Sequence, residues 1–186
     1  ETVTGVTLMK MVRKMDAGPV ICQQKLPIGE QDDVLTIEDK LSRLAGKLLV
    51  EGLEKINKKS FDSTPQDEEK VSFAPKLKKG DGLIDWQIPA LKIHNLIRGC
   101  LLWPGAFTYL NGKLLKIHKA RVTSRFESSV KRSAGRILKA TKEGIVVATT
   151  EDDLTIEKLQ MEGKRVMEAR EFLAGHKVSP SAILGK

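Results

Sequence analysis

The stretch Thr4-Gly5-Val6-Thr7-Leu8-Met9-Lys10-Met11-Val12-Arg13-Lys14-Met15-Asp16-Ala17-Gly18-Pro19-Val20-Ile21 decides how the start of this chain is read. Val6 to Val12 is β-branched, largely apolar and preceded by Gly5, which predicts a strand. Val20 to Leu26 repeats the pattern as a second strand, which Pro27 and Gly29 help to end. Between them, Met15 to Pro19 is a tight loop. Gly18 is expected to take a positive φ there, and Pro19 to fix the return to extended chain. A carboxylate on a Gly-containing loop between two buried strands is held still by its flanks, so Asp16 is a candidate catalytic group. Asp before a small residue and Gly is also ordinary turn chemistry.

Working outward, Thr36 and Asp39 have capping-box spacing, with Asp in place of Glu or Gln. Ile37, Leu41, Leu44, Ala45, Leu48, Leu49, Leu53 and Ile56 follow on one face of a helix that runs out at Lys58-Lys59. Residues 61–70 are polar, contain Pro65 and show no period, and Pro75 to Gly82 is flexible and basic. The division predicted is therefore 1–60, a linker at 61–82, and a second domain at 83–186. Pro89 opens a helix whose buried side is Leu91, Ile93, Leu96, Ile97, Cys100 and Leu101. The period then drops to two. Ala106 to Leu110, Asn111-Gly112 and Leu114 to Val122 form a hairpin, Asn-Gly being the strongest short-range turn signal. Arg136 to Ala140, Ile145 to Thr149 and Leu154 to Leu159 are three more strands, and Met167 to Ala174 a short helix. Five short antiparallel strands suit an OB-like barrel, because closure removes exposed edges. The fold class predicted is α+β.

At 40% hydrophobic and 30% charged, the chain can bury a core and is not of disordered composition. No apolar run approaches the roughly 18 residues of a membrane span. The first residues carry neither an initiating Met nor the regions of a signal peptide, so the start reads as an interior cut. Cys22 and Cys100 lack CxxC spacing and a nearby His, which predicts two reduced core thiols of a cytoplasmic protein and no metal. Net charge is +8, unevenly spread: −2 over residues 1–75, +12 over 76–142 and −2 over 143–186. A concentrated basic block makes a field that attracts a polyanion, and nucleic acid is the first expectation; a solvated basic face is the plainer one.

The pattern G-V-T-x-M-x-M-x-x-x-M-D-x-G-x-x-I resembles the closing segment of the folate-dependent formyltransferases. That resemblance implies the end of a doubly wound α/β catalytic domain, two strands and a helix, with Asp16 as its catalytic Asp. It also implies that the loop Val12, Arg13, Lys14 to Asp16 borders the pterin of 10-formyltetrahydrofolate, the formyl donor. Leu83-Ile84-Asp85-Trp86, Ile93-His94-Asn95-Leu96-Ile97-Arg98-Gly99 and Trp103-Pro104-Gly105-Ala106-Phe107-Thr108 follow in order. They look like the linker and C-terminal domain of methionyl-tRNA formyltransferases, which would make initiator methionyl-tRNA the partner of a monomeric enzyme. The family's upstream Asn, His and Ser-Leu-Leu-Pro segment are not in these 186 residues, so this stretch alone is expected not to formylate tRNA. Alternatives are the hydrolase part of a 10-formyltetrahydrofolate dehydrogenase, a sugar-nucleotide formyltransferase, or a stand-alone RNA-binding module.

Candidate RNA contacts are Lys76, Lys78 and Lys79 on the linker, Arg98 on the helix, Lys113, Lys116, Lys119 and Arg121 on the hairpin, and Lys131, Arg132 and Arg136 around the next loop. In the hairpin strand Lys119 and Arg121 share one face. Lys116 differs in parity from Lys119, so all the hairpin cations meet on one face only if a bulge intervenes. Low aromatic content favours contacts to the backbone and 2′-hydroxyls of structured RNA over stacking on single strands. His94 and His118 read as structural or surface groups. Trp86 and Trp103, beside Ile84 and Pro104, read as packing residues.

Overall fold

A computed structural model describes residues 1–58, 62–125, 132–179 and 182–185. The chain forms two compact units, Glu1–Pro75 and Lys76–Lys186.

In the first unit, β1 (Val3–Met9) and β2 (Val20–Pro27) pair antiparallel, Val3 opposite Pro27 and Leu8 opposite Cys22, and the register breaks at Met9. The strand thus ends three residues before the predicted Val12, and Met11 stands 95% exposed. The loop also differs from expectation. Asp16, not Gly18, takes the left-handed φ, at 53°. Gly18 is required for space instead, since a Cβ there would sit 1.6 Å from the Lys10 carbonyl oxygen.

Helix α1 spans Val34–Asn57. Its cap closes three residues earlier than predicted, because the Thr36 hydroxyl can itself accept from a capping residue's N–H. Thr36 N–H donates to Asp33 Oδ1 at 2.9 Å and Asp33 N–H to Thr36 Oγ1 at 2.8 Å. Gly52 costs the helix about 1 kcal/mol against alanine, but a Cβ there would stand 2.2 Å from Leu8 Cδ2, so its absence seats α1 on the hairpin. Of the predicted apolar face Leu48 is buried, while Leu49 and Leu53 remain 47% and 54% exposed. The segment predicted as linker is partly built into this unit: Thr64 exchanges backbone hydrogen bonds with Val20, at 2.8 and 2.9 Å.

The second unit carries the hydrophobic core. A turn over Lys79–Gly82 leads to α2 (Ala90–Gly99), begun at Pro89 as predicted. The strands are β3 (Ala106–Leu110), β4 (Lys113–Thr123), β5 (Ile137–Thr141), β6 (Gly144–Ala148), β7 (Asp153–Met161) and β8 (Met167–Glu168), and α3 (Ala169–Gly175) follows. Asn111 and Gly112 have φ of 52° and 75°, the two positive values of a type I′ turn, which joins β3 to β4. The sheet is wholly antiparallel, in the order β3-β4-β7-β6-β5, with β8 on β7 beyond the end of β6.

The predicted five-stranded closed barrel is not seen among the described residues: β3 and β5 end the path and do not pair. Other chain covers these edges. Ile84 N–H donates to Phe107 O at 2.8 Å beside β3, and Ile137 N–H to Ala182 O at 2.8 Å beside β5.

Ile93 and Ile97 of α2 share one core with Leu115, Ile117, Leu154, Ile156 and Leu159 of the sheet and Phe172 of α3. Trp86, 5% exposed, donates its indole N–H to Thr108 Oγ1 at 3.0 Å. A Cβ at Gly135 would crowd its ring at 3.3 Å, while one at Gly185 would meet it at ordinary contact distance, 3.6 Å. Trp103, predicted to pack, is 59% exposed, because the turn that carries it lies outside this core. Cys22 and Cys100 are free, and burial raises the Cys100 thiol above its usual pKa, Asp81 adding to the effect.

Candidate catalytic loop and nucleic-acid interface

Asp16 lies at the tip of the loop between β1 and β2, its carboxylate exposed to solvent. Lys10 N–H donates to Pro19 O at 3.0 Å and closes the loop at its base. Across the top, the Gln66 carboxamide nitrogen donates to Asp16 O at 2.9 Å and Gly18 O at 2.7 Å, and reaches Met9 Sδ at 3.7 Å. Lys14 meets Glu68 at 3.5 Å, an exposed pair of little energetic weight. Val12, Arg13 and Lys14, the predicted folate-side residues, are all exposed on the same loop. Gln66 escaped sequence reading, since a polar segment with Pro65 and no period carries no sign of where its side chain goes.

The basic residues fall into two groups. On β4 the inward residues change parity, from Leu115 and Ile117 to Ala120, where the ladder register breaks at Lys119. This break turns Lys116, Lys119 and Arg121 all to the solvent side, and Lys113 is exposed at the strand's start. The same point on β7 leaves Glu157 and Lys158, neighbours in sequence, both partly exposed. Glu157 then binds two of the cations, Lys119 Nζ at 3.3 Å and Arg121 Nε at 3.0 Å. Arg132, only 22% exposed, meets the fully buried Asp153 carboxylate at 2.5 Å, with a second contact at 3.3 Å. Arg98 Nε donates to Asn95 Oδ1 at 2.9 Å and Arg136 Nε to Ser133 Oγ at 3.1 Å. Lys131 lies outside the described residues.

Lys76, Lys78, Lys79, Lys113 and Lys116 are exposed. The Lys79 turn is fastened by Lys78 N–H to Asp81 Oδ2 at 2.7 Å. It leads into Leu83, which pairs with Phe107, itself opposite Lys116. The basic turn therefore ends about two strand spacings, roughly 10 Å, from Lys116.

The histidines are packing and surface groups here. His94 is half-buried on α2; burial first, then the Arg98 charge, holds its pKa below the usual imidazole value, with Glu157 opposing. His118 pairs with Gln160 Oε1 at 3.1 Å, and His176 stacks on Phe172 with ring centres 4.4 Å apart. Among the described residues no group of three His, Cys, Asp or Glu could hold a metal ion, and no helix is long and apolar enough to cross a membrane.

A family model described as formyl transferase, C-terminal domain, matches residues 76–177, and one described as formyl transferase matches residues 1–53. The chain belongs to the formyl transferase family. The boundary at residue 76 is also where its second compact unit begins. This formyl transferase chain is 38% identical over 186 residues to the methionyl-tRNA formyltransferase of Geotalea uraniireducens, covering 100% of the chain and 58% of that relative. It is 40% identical over 176 residues to that of Staphylococcus epidermidis, covering 94% of the chain and 56% of the relative. The chain thus spans a little over half the length of these relatives. Among solved structures it resembles HypX from Aquifex aeolicus in complex with tetrahydrofolic acid, with a TM-score of 0.66 at 22% identity over 98% of this chain and 34% of that one. It also resembles the N-formyltransferase from Helicobacter canadensis, with a TM-score of 0.64 at 18% identity over 84% and 56%. These two likenesses speak for the fold of a formyl transferase.

Proposed function

We propose that this chain is the C-terminal part of a cytoplasmic, monomeric methionyl-tRNA formyltransferase. The whole enzyme moves a formyl group from 10-formyltetrahydrofolate to the amino group of initiator methionyl-tRNA. The observation that carries the proposal is the 38% identity to methionyl-tRNA formyltransferases across both units of the chain.

In this reaction the amine attacks the formyl carbon on N10 of the folate. An oxyanion develops, and protons must leave the amine and reach N10. Asp16, exposed on a loop held at its base and across its top, orients a neighbouring acid–base group or water and offsets transient positive charge. The flanking Val12, Arg13 and Lys14 border the folate. The second unit supplies affinity. Lys76, Lys78 and Lys79 with Lys113 and Lys116 contact phosphates of the tRNA body, and Arg98, Lys119, Arg121, Arg132 and Arg136 shape the field around them.

In a protein extended to the length of its relatives, Asp16→Asn is expected to lower formylation of methionyl-tRNA by at least about 100-fold, the scale of a lost acid–base or electrostatic group. Replacing Lys113 and Lys116 by Gln is expected to weaken tRNA binding and flatten its dependence on log salt by about 0.9 for each phosphate no longer neutralised. A wild-type rate in the first variant and an unchanged salt slope in the second would refute the proposal, as would transfer to a nucleotide sugar in place of tRNA.

A further inference from the structure

Gln66 lies between the two matched stretches, residues 1–53 and 76–177, and far in sequence from the loop it touches. A primary carboxamide carries two N–H groups, so one Nε2 can satisfy two carbonyls at once. In this chain those carbonyls belong to Asp16, at 2.9 Å, and Gly18, at 2.7 Å, and they bracket the turn in which Asp16 takes φ 53°. That conformation is disfavoured for a residue with a Cβ and persists only where its surroundings impose it. Two constraints do so. Gly18 is pressed onto the Lys10 carbonyl from below, and Gln66 holds the carbonyls from above. The Gln66 backbone is itself anchored by the paired Val20–Thr64 hydrogen bonds two residues earlier. The backbone turn that carries the Asp16 carboxylate is thus held from the segment that follows α1.

We infer that Gln66 is a positioning residue for Asp16, holding its left-handed turn so that the carboxylate keeps one direction during formyl transfer. The inference rests on the proposed catalytic role of Asp16. The test uses the protein extended to the length of its relatives, with Gln66→Met, Asp16→Asn and the double variant. Methionine keeps the reach of glutamine but has no N–H to donate.

Gln66→Met is expected to lower kcat about 10- to 100-fold, the cost of a misdirected catalytic group, and to leave KM for the formyl donor within about twofold. In the Asp16→Asn background the same change is expected to cost nothing more, because it acts through the carboxylate already removed. A purely structural role would cost as much in both backgrounds, and that result overturns the inference. A wild-type kcat in Gln66→Met beside an inactive Asp16→Asn overturns it as well. Full activity of Asp16→Asn removes the premise and the inference together. In the 186-residue chain, exchange of the Lys10 and Val20 amides, which are hydrogen-bonded to Pro19 O and Thr64 O at the two ends of the loop, is expected to quicken in Gln66→Met at an unchanged melting temperature; unchanged exchange overturns the inference independently of activity.

Discussion

Removing the guanidinium of Arg132 takes its charge partner from a carboxylate buried in the fold. Asp153 is 0% exposed, and Arg132 meets both of its oxygens while retaining only 22% of its own exposure. Breaking a buried pair by deleting one partner costs about 3–5 kcal/mol, because the remaining charge keeps its desolvation penalty. The residual exposure of Arg132 places Arg132→Leu near the lower end, at about 3 kcal/mol. For a domain of about 100 residues each kcal/mol moves the melting temperature by about 4–8 °C, so the drop expected in the second unit is about 12–24 °C. The assay is thermal unfolding followed by circular dichroism or calorimetry. A companion variant, Arg132→Leu with Asp153→Asn, is expected to recover part of the loss, since the double change buries no charge. A drop below about 3 °C, or a double variant as unstable as the sum of its single changes, would refute the idea that this pair is structural. RNA affinity of folded Arg132→Leu is expected to fall no more than the removal of one surface cation requires.

Two further outcomes follow from the charges around α2 and β7. Glu157→Gln releases Lys119 and Arg121 from their shared partner and is expected to tighten tRNA binding. The slope of log affinity on log salt should steepen by about 1–2 in titrations between low and moderate salt, and weaker binding by a folded variant would contradict this. His94 bears on acid stability. Its pKa in the fold is lowered, chiefly by burial, so the unfolded chain binds the proton more readily. Stability is therefore complete above the ordinary imidazole value of about 6.5 and declines as pH falls through it. His94→Gln is expected to flatten the melting temperature between about pH 7.5 and 5.5, and a variant that declines as steeply as the parent would exclude His94 as the cause.

Local signals were legible where one short segment decides its own conformation. Asn111-Gly112 specified the hairpin, Pro89 the start of α2, and the apolar spacing of Ile37 to Ile56 the long helix. Errors arose where a rival local arrangement won. Asp33 displaced Thr36 as the cap, and Gly18 served as a spacer while Asp16 took the unusual φ. Longer-range features were not legible. The +12 of residues 76–142 reads as an uncompensated block, yet Glu157 and Asp153, more than twenty residues away, neutralise part of it in the fold. Alternation alone could not locate the parity change on β4, because that change is shared with β7. Closure of the barrel was inferred from strand number, whereas the edges are covered by Ile84 and Ala182, which lie outside the named strands.

The junction around Trp86 has an evolutionary consequence. Thr108 accepts from its indole, which gives the buried N–H its partner. Positions 86 and 108, twenty-two residues apart, therefore form one heritable unit. A lineage that replaces the tryptophan by a smaller side chain is released from its need for threonine at 108 but not from glycine at 135 and 185, which their φ of 79° and 95° still require, so the first two sites should drift together and the glycines stay.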